Sequence, residues 1–335
     1  MKVMELRDAF GIDNLKLGER QDTALQPGQA RVRVKATSLN YRDLMTVKHG
    51  GGRGVKLPLI PLSDGAGEVV EVGPQVSRVK PGDRVMGIFM QTWLAGEPSQ
   101  ADAASSLGGA IDGMLAEHVV LHEDGLVHTP DYLSDEEAAT LPCAAVTAWQ
   151  GLMTKGGMQA GDTILVLGTG GVSIFALQFA GIAGARAIVT SSSDAKLERA
   201  KELGAAHCIN YRTTPDWENR VLELTDGIGV DHVVEVGGVG TLEKSLLSVR
   251  VGGTVSLIGV LTGSGTMDPM AILRKSIRMQ GIYVGSRAMF EAMNRAMSLH
   301  KLRPVIDRAF PFEESPQALS YMESAGHFGK IVVTL

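Results

Sequence analysis

Thr163-Ile-Leu-Val-Leu167 runs directly into Gly168-Thr-Gly170-Gly171-Val172-Ser173 and then into an apolar stretch of helical length that ends at Gly184. A short strand, a glycine turn and a helix, in that order, form the dinucleotide fingerprint G-x-G-x-x-G/A. Each position has a physical task. The first glycine makes the turn, the second lets a pyrophosphate approach the backbone, and the third position must be small so that helix and strand can pack. Ser173 holds that third position. The free amides at Gly171 and Val172, with the positive end of the helix dipole, would hold the pyrophosphate.

The same texture continues on the C-terminal side. Short apolar runs at Ala187–Thr190, His207–Asn210, Val230–Val236, Gly253–Ile258 and Met279–Val284 read as strands. Helical segments separate them at 173–184, 194–204, 215–225, 241–250 and 269–275, which predicts an α/β doubly wound parallel sheet. Residues 1 to about 127 read differently. Ala30-Arg-Val-Arg-Val-Lys-Ala36 alternates with period two, and Gly67–Gly73 and Asp83–Phe89 are short glycine-bounded runs, so a small β-rich, barrel-like unit is expected. Gln91 to Ala110 reads as a long loop or partial helix. Ser134 and Glu137 form a capping box at the start of the helical texture. An amphipathic helix at 288–300 carries Met289, Met293 and Met297 at four-residue spacing, read as core or subunit contact. A last strand, 329–334, is placed to pair with the first unit and make it discontinuous.

With 335 residues, 44% of them hydrophobic, the chain can bury a substantial core. Its formal charge of −5 gives no basic surplus for a nucleic-acid backbone. Only Cys143 and Cys208 are present, the usage of a reduced compartment, and no stretch is apolar enough to span a membrane, so a cytoplasmic protein is expected.

Cofactor choice is read at the end of the second strand, where an acid would accept the ribose hydroxyls of NAD and repel the 2′-phosphate of NADP. The sequence there is Ser191-Ser192-Ser193-Asp194-Ala-Lys196, with serine at the acid position. Ser191 and Ser192 as donors, Lys196 one turn inward and Tyr211 over the adenosine predict NADP(H) over NAD(H). Asp194 reads as the N-cap of the following helix rather than as a ribose ligand.

Four motifs at consistent spacing then carry a resemblance: Ser38-Leu-Asn40-Tyr-Arg-Asp43-Leu, Pro61-Leu-Ser-Asp64-Gly-Ala-Gly67-Glu-Val-Val-Glu-Val-Gly73, Lys80-Pro-Gly-Asp83-Arg-Val and Leu141-Pro-Cys143-Ala-Ala-Val-Thr147-Ala-Trp. Together they resemble the medium-chain dehydrogenase/reductases, and within them the zinc-free quinone oxidoreductase branch. The resemblance implies a GroES-like catalytic domain, 1–127 completed by 286–335, and a Rossmann domain, 128–285, with the active site in the cleft between them. It also implies that Asn40 stands where zinc-dependent members place a cysteine ligand, that Ser63 and Asp64 stand where they place a His-Glu pair, and that Cys143 alone keeps a ligand type. Three protein ligands are needed for a catalytic zinc, so no zinc is expected. By the same resemblance, Asn40 and Thr147 position the nicotinamide, Gly259 and Val260 give backbone contacts to its carboxamide, and Lys330 reaches a cofactor phosphate, with a surface lysine as the alternative. Asp64 is left between an orienting acid and a turn residue, Arg42 and Asp43 as braces of their loop, and Cys143 as a small buried residue.

A site without a Lewis acid stabilises an alkoxide poorly, whereas quinones and α,β-unsaturated carbonyls spread the incoming charge over a conjugated system. The expectation is therefore an NADPH-dependent oxidoreductase that delivers hydride to such acceptors, with Asn40 and Asp64 as catalytic candidates. An NAD(P)-dependent alcohol dehydrogenase or carbonyl reductase is the alternative, and a non-catalytic cofactor-binding protein a second. A small-molecule substrate and the family's usual homodimer or homotetramer complete the expectation.

Overall fold

In the computed structural model, which describes residues 1–52, 55–259, 261–263 and 265–335, Thr163–Leu167 is an inner strand of a six-stranded sheet. The strand order is His207–Asn210, Arg186–Ser191, Thr163–Leu167, Val230–Glu235, Val249–Leu257, Arg278–Gly281, and every pairing is parallel. All five residues of Thr163–Leu167 are buried, because helices cover both faces of a parallel sheet and leave no solvated side to alternate with. Leu165, Ile188, Val233 and Val255 form its core with Trp217, Val221 and Leu246 from the covering helices.

The chain divides into two compact units, Met1–Val146 with Val284–Leu335, and Thr147–Tyr283. The sheet above belongs to the second. In the first, a sheet runs in the order Ile306–Pro311, Lys330–Thr334, Gln29–Ser38, Asp64–Val72, Arg84–Gly87, Leu126–His128, and His118–His122 also pairs with Gln29–Ser38. The last strand of the chain is antiparallel to Gln29–Ser38, with Val332 opposite Ser38. That pairing carries Lys330 to the turn at Leu39 and Asn40. The core of this unit gathers Val32, Val34, Val69, Val85 and Leu121 with Ile331 and Val333, residues far apart in the chain. Residues 128–146, expected in the Rossmann part, belong to the first unit, since Asp135–Ala139 packs on the strands Gln29–Ser38 and Asp64–Val72.

Several local expectations hold. Ser134 accepts the amide of Glu137 in the capping box. The 91–110 loop contains one short helix, Gln100–Ala103. Met293 and Met297 are fully buried on helix Arg287–His300. Among the described residues no helix is long and apolar enough to cross a membrane.

Candidate active site

The cofactor side is built on the second unit. After Leu167 the backbone turns at Gly168, whose φ of +73 is one that side chains with a Cβ rarely adopt. Its amide donates to Thr190 O of the neighbouring strand, which ties the turn to the end of that strand. Helix Gly171–Ala183 begins with Gly170 as its N-cap, and no side chain caps it. A Cβ at Gly170 would meet nothing within 4 Å, so the space beside the start of the helix is open. Ser173 is buried and donates its hydroxyl to Leu167 O at 2.7 Å, clamping helix onto strand as the third fingerprint position requires. This open cradle of amides suits a pyrophosphate.

At the end of strand Arg186–Ser191, Ser191 is buried and Ser192 is half-buried. The N-cap of helix Asp194–Glu202 is Ser193, whose Oγ accepts the amide of Lys196, and not Asp194 as expected. Asp194 is the first helical residue, and its carboxylate accepts Asn210 Nδ2 at 2.7 Å. Lys196 is half-buried on the same turn, and Tyr211 is exposed just past strand His207–Asn210. Thr147 is buried. Gly259 follows strand Val249–Leu257, where a Cβ would come within 2.1 Å of Val236 O, so a close backbone approach requires glycine there. Its amide donates to Glu235 O at 3.2 Å. Val260, expected beside it, lies outside the described residues.

A second group lies wholly in the first unit. Asn40 opens helix Tyr41–His49, and its backbone N–H donates to Asp43 Oδ2 at 2.9 Å. Asp43 is fully buried and also accepts Arg42 Nη1, which donates to the carbonyls of Leu107 and Gly108 as well. Arg42 and Asp43 thus brace the loop. Behind Asn40, Asp64 is fully buried at the start of its strand, an interior group and not a turn residue. Its carboxylate accepts Ser63 Oγ at 2.9 Å, Ser38 Oγ at 3.3 Å and the amide of Cys143 at 3.3 Å.

Lys330 is only 2% exposed, which overturns the surface alternative. Its Nζ donates to Leu39 O at 2.7 Å and to Asn40 Oδ1 at 2.6 Å, and stands 3.7 Å from Asp64 Oδ2. The expected reach to a cofactor phosphate is corrected with it, since the ammonium is buried and these oxygens engage its donors. Burial pushes the Asp64 carboxyl above its ordinary range. Lys330 opposes that shift and Asp43 adds to it, while bonds from Asn40 and Ser63 pull it down without reversing it. Burial likewise raises the Cys143 thiol, helped by the charge of Asp64. Cys143, expected to be buried, is half-buried and packs against the cluster of Phe89, Met90, Trp93 and Val284.

These residues do not fit zinc. The amide oxygen of Asn40 is taken by an ammonium, the cation Lys330 already faces the Asp64 carboxylate, Asp43 is held by the Asn40 amide and Arg42, and Cys143 alone cannot supply the three protein ligands a catalytic zinc needs. Among the described residues no three His, Cys, Asp or Glu gather as a metal-holding group.

Sequence reasoning missed Glu235. It ends strand Val230–Glu235 fully buried, accepting the amides of Gly237 and Gly238 and the hydroxyls of Thr241 and Ser245. It fixes the loop beside Gly259. The available signal was a second acid in a strand that already carries Asp231 and His232, placed one residue before Gly237-Gly238.

The family described as "Zinc-binding dehydrogenase" matches residues 171–298, and "Alcohol dehydrogenase GroES-like domain" matches residues 26–131. The chain is 45% identical over 333 residues to a zinc-type alcohol dehydrogenase-like protein of Schizosaccharomyces pombe, covering 97% of this chain and 96% of that one. It is 33% identical over 340 residues to the 2-methylene-furan-3-one reductase of Solanum lycopersicum, covering 99% of this chain and 79% of the other. Among solved structures, a protein of Sinorhizobium meliloti assigned to the alcohol dehydrogenases superposes with a TM-score of 0.93 at 42% identity, over 100% of this chain and 99% of that one.

Proposed function

Since the chain belongs to the medium-chain dehydrogenase/reductase superfamily of NAD(P)-linked oxidoreductases, we propose that it is an NADPH-dependent reductase of quinones or α,β-unsaturated carbonyls that works without zinc. The observation that carries this reading is the group around Asn40, where an ammonium and an amide stand and the donors do not fit a metal. An alcohol is a poor hydride donor without a Lewis acid, whereas a conjugated acceptor needs only a hydrogen-bond donor at its oxygen. The tomato relative is named a reductase, which supports that direction.

A bound NADPH would supply the hydride for a conjugated acceptor, and the residues of this chain would hold it in place while water supplies the balancing proton. The unit Thr147–Tyr283 is assigned cofactor binding. Gly168, Gly170, Gly171 and Val172 take the pyrophosphate, Ser191, Ser192 and Lys196 take the 2′-phosphate, and Tyr211 lies over the adenosine. Thr147, Gly259 and Val260 take the nicotinamide end. The engagement of Asp194, the acid that follows the serines in sequence, by Asn210 Nδ2 supports the NADPH choice. Two free cysteines suit the cytoplasm. The terminal strand Arg278–Gly281, with Val251, Leu273 and Tyr283 exposed in the same unit, suits pairing with a second copy in a homodimer.

The test is NADPH and NADH consumption by chelator-stripped protein against quinones, enones and simple ketones. NADPH-linked turnover of quinones or enones is expected, and Lys196→Ala should raise KM for NADPH more than for NADH. Activity confined to alcohols or simple ketones and restored by zinc would favour an alcohol dehydrogenase, the reading suggested by the name of the Schizosaccharomyces pombe relative. No turnover with any acceptor would favour a binding protein.

A further inference from the structure

Four buried side chains in the first unit close a ring. Lys330 Nζ donates to Asn40 Oδ1, Asn40 Nδ2 donates to Ser63 Oγ at 3.5 Å, Ser63 Oγ donates to Asp64 Oδ1, and Asp64 Oδ2 faces Lys330 Nζ. The direction of every bond follows from one member. A lysine head has only donors, so the atom of Asn40 that meets it must be the amide oxygen. The nitrogen then lies on the opposite side of the carboxamide, toward Ser63 and away from the lysine. The backbone of Asn40 is fixed by Asp43 Oδ2, and Ser63, whose hydroxyl hydrogen goes to Asp64, accepts from the amide nitrogen on the far side, so the ammonium holds the oxygen end of a carboxamide whose nitrogen end Ser63 holds. A cation on the amide oxygen also polarises the N–H bonds and strengthens them as donors.

We propose that Lys330 is a positioning residue that locks Asn40 with its amide nitrogen, and not its oxygen, as the atom offered to substrate, so that the site selects a hydrogen-bond acceptor. This rests on the proposed function, taking the catalytic candidate Asn40 as the hydrogen-bond donor that a conjugated acceptor needs at its oxygen. It deepens that reading by assigning the site a carbonyl oxygen over an alcohol hydroxyl, because a ketone or quinone oxygen accepts from Asn40 Nδ2 while a hydroxyl hydrogen finds no acceptor in it. The ammonium thereby supplies from within the chain the positive charge that a metal would otherwise bring to this group.

The test is a double-mutant cycle on the full chain with NADPH and an enone. Lys330→Met and Asn40→Ala should each lower kcat/KM roughly 10-fold or more, the worth of one hydrogen bond to a charged or polarised group. The double variant should be no worse than Asn40→Ala, because Lys330 acts through Asn40. NADPH affinity, read by fluorescence titration, should stay within about twofold of wild type in Lys330→Met. Multiplying losses in the double variant would overturn the inference and leave Lys330 a structural residue. Loss of NADPH affinity in Lys330→Met would overturn it in favour of a phosphate contact. Should Lys330→Met fail to fold, Lys330→Gln serves in its place, since its amide N–H keeps a donor on Asn40 Oδ1, and it should retain more kcat/KM than Asn40→Ala; equal loss would count against the inference. The side-chain ¹⁵N–¹H signals of Asn40, assigned by their absence in Asn40→Ala, give a readout free of turnover. If wild type reduces no enone, the substrate reading fails, yet those signals should still move in Lys330→Met, and unmoved signals would overturn the positioning role itself.

Discussion

Replacing Gly170 by alanine separates the cost of folding from the cost of binding, because the two glycines of the turn differ in backbone and share open surroundings. Gly170 has φ −78 and ψ −176, which any residue adopts, and an added Cβ would meet no atom within 4 Å. Gly170→Ala should therefore change unfolding free energy by no more than about 0.5 kcal/mol, or raise it slightly by restricting the unfolded chain. Gly168 also has open surroundings but sits at φ +73, so Gly168→Ala should cost about 1–2 kcal/mol. Binding should rank them differently. With the pyrophosphate placed against Gly170 as proposed, the added Cβ would stand in the open space that it takes, and losing one charge-assisted hydrogen bond to a pyrophosphate costs about 1.5–3 kcal/mol. That corresponds to roughly 10- to 150-fold in Kd. The assay pairs NADPH titration, followed through protein tryptophan fluorescence, with urea denaturation of the free protein. Wild-type affinity in Gly170→Ala would refute the placement of the pyrophosphate, and a large loss of stability in that variant would refute the account of the turn.

Other perturbations probe the supports of the site. Gly259→Ala places a Cβ 2.1 Å from Val236 O, backbone against backbone, and should destabilise the protein by about 1–3 kcal/mol, read as a lower urea midpoint with unchanged slope. His232 is held by burial below its ordinary pKa of 6.5, although Asp162 at 3.0 Å and Asp231 pull it upward while Arg278 pushes it further down. The unfolded chain then binds the proton more readily than the folded one, so this contribution to stability is present above pH 6.5 and is lost as pH falls through the lowered value. His232→Asn should flatten the decline in stability from about pH 7 to about pH 5; an unchanged slope would show that other groups cause it.

What was legible in the sequence was what is local. The parallel sheet was readable because strands buried on both faces are continuous apolar runs, and the glycine turn because its backbone demands fall on adjacent residues. Boundaries moved where two signals competed. Strand Val249–Leu257 begins four residues before Gly253 because it starts directly at the end of helix Val239–Ser248, and Gly252 and Gly253 resemble its beginning when they lie inside it. At the next cap, Ser193 and Asp194 are both good caps, and only the geometry chooses between them. Lys330 was not legible. Its partners are Leu39 and Asn40, 290 residues or more away, and only the pairing of the last strand with Gln29–Ser38 brings them together.

The central claim is tested most directly by reducing an enone with NADPH deuterated at the transferred position, using protein shown by metal analysis to lack zinc. The account predicts a saturated ketone carrying one deuterium at the β-carbon, formed at the same rate in the presence of a chelator. An allylic alcohol with deuterium on the former carbonyl carbon, formed only after zinc is added, would contradict it.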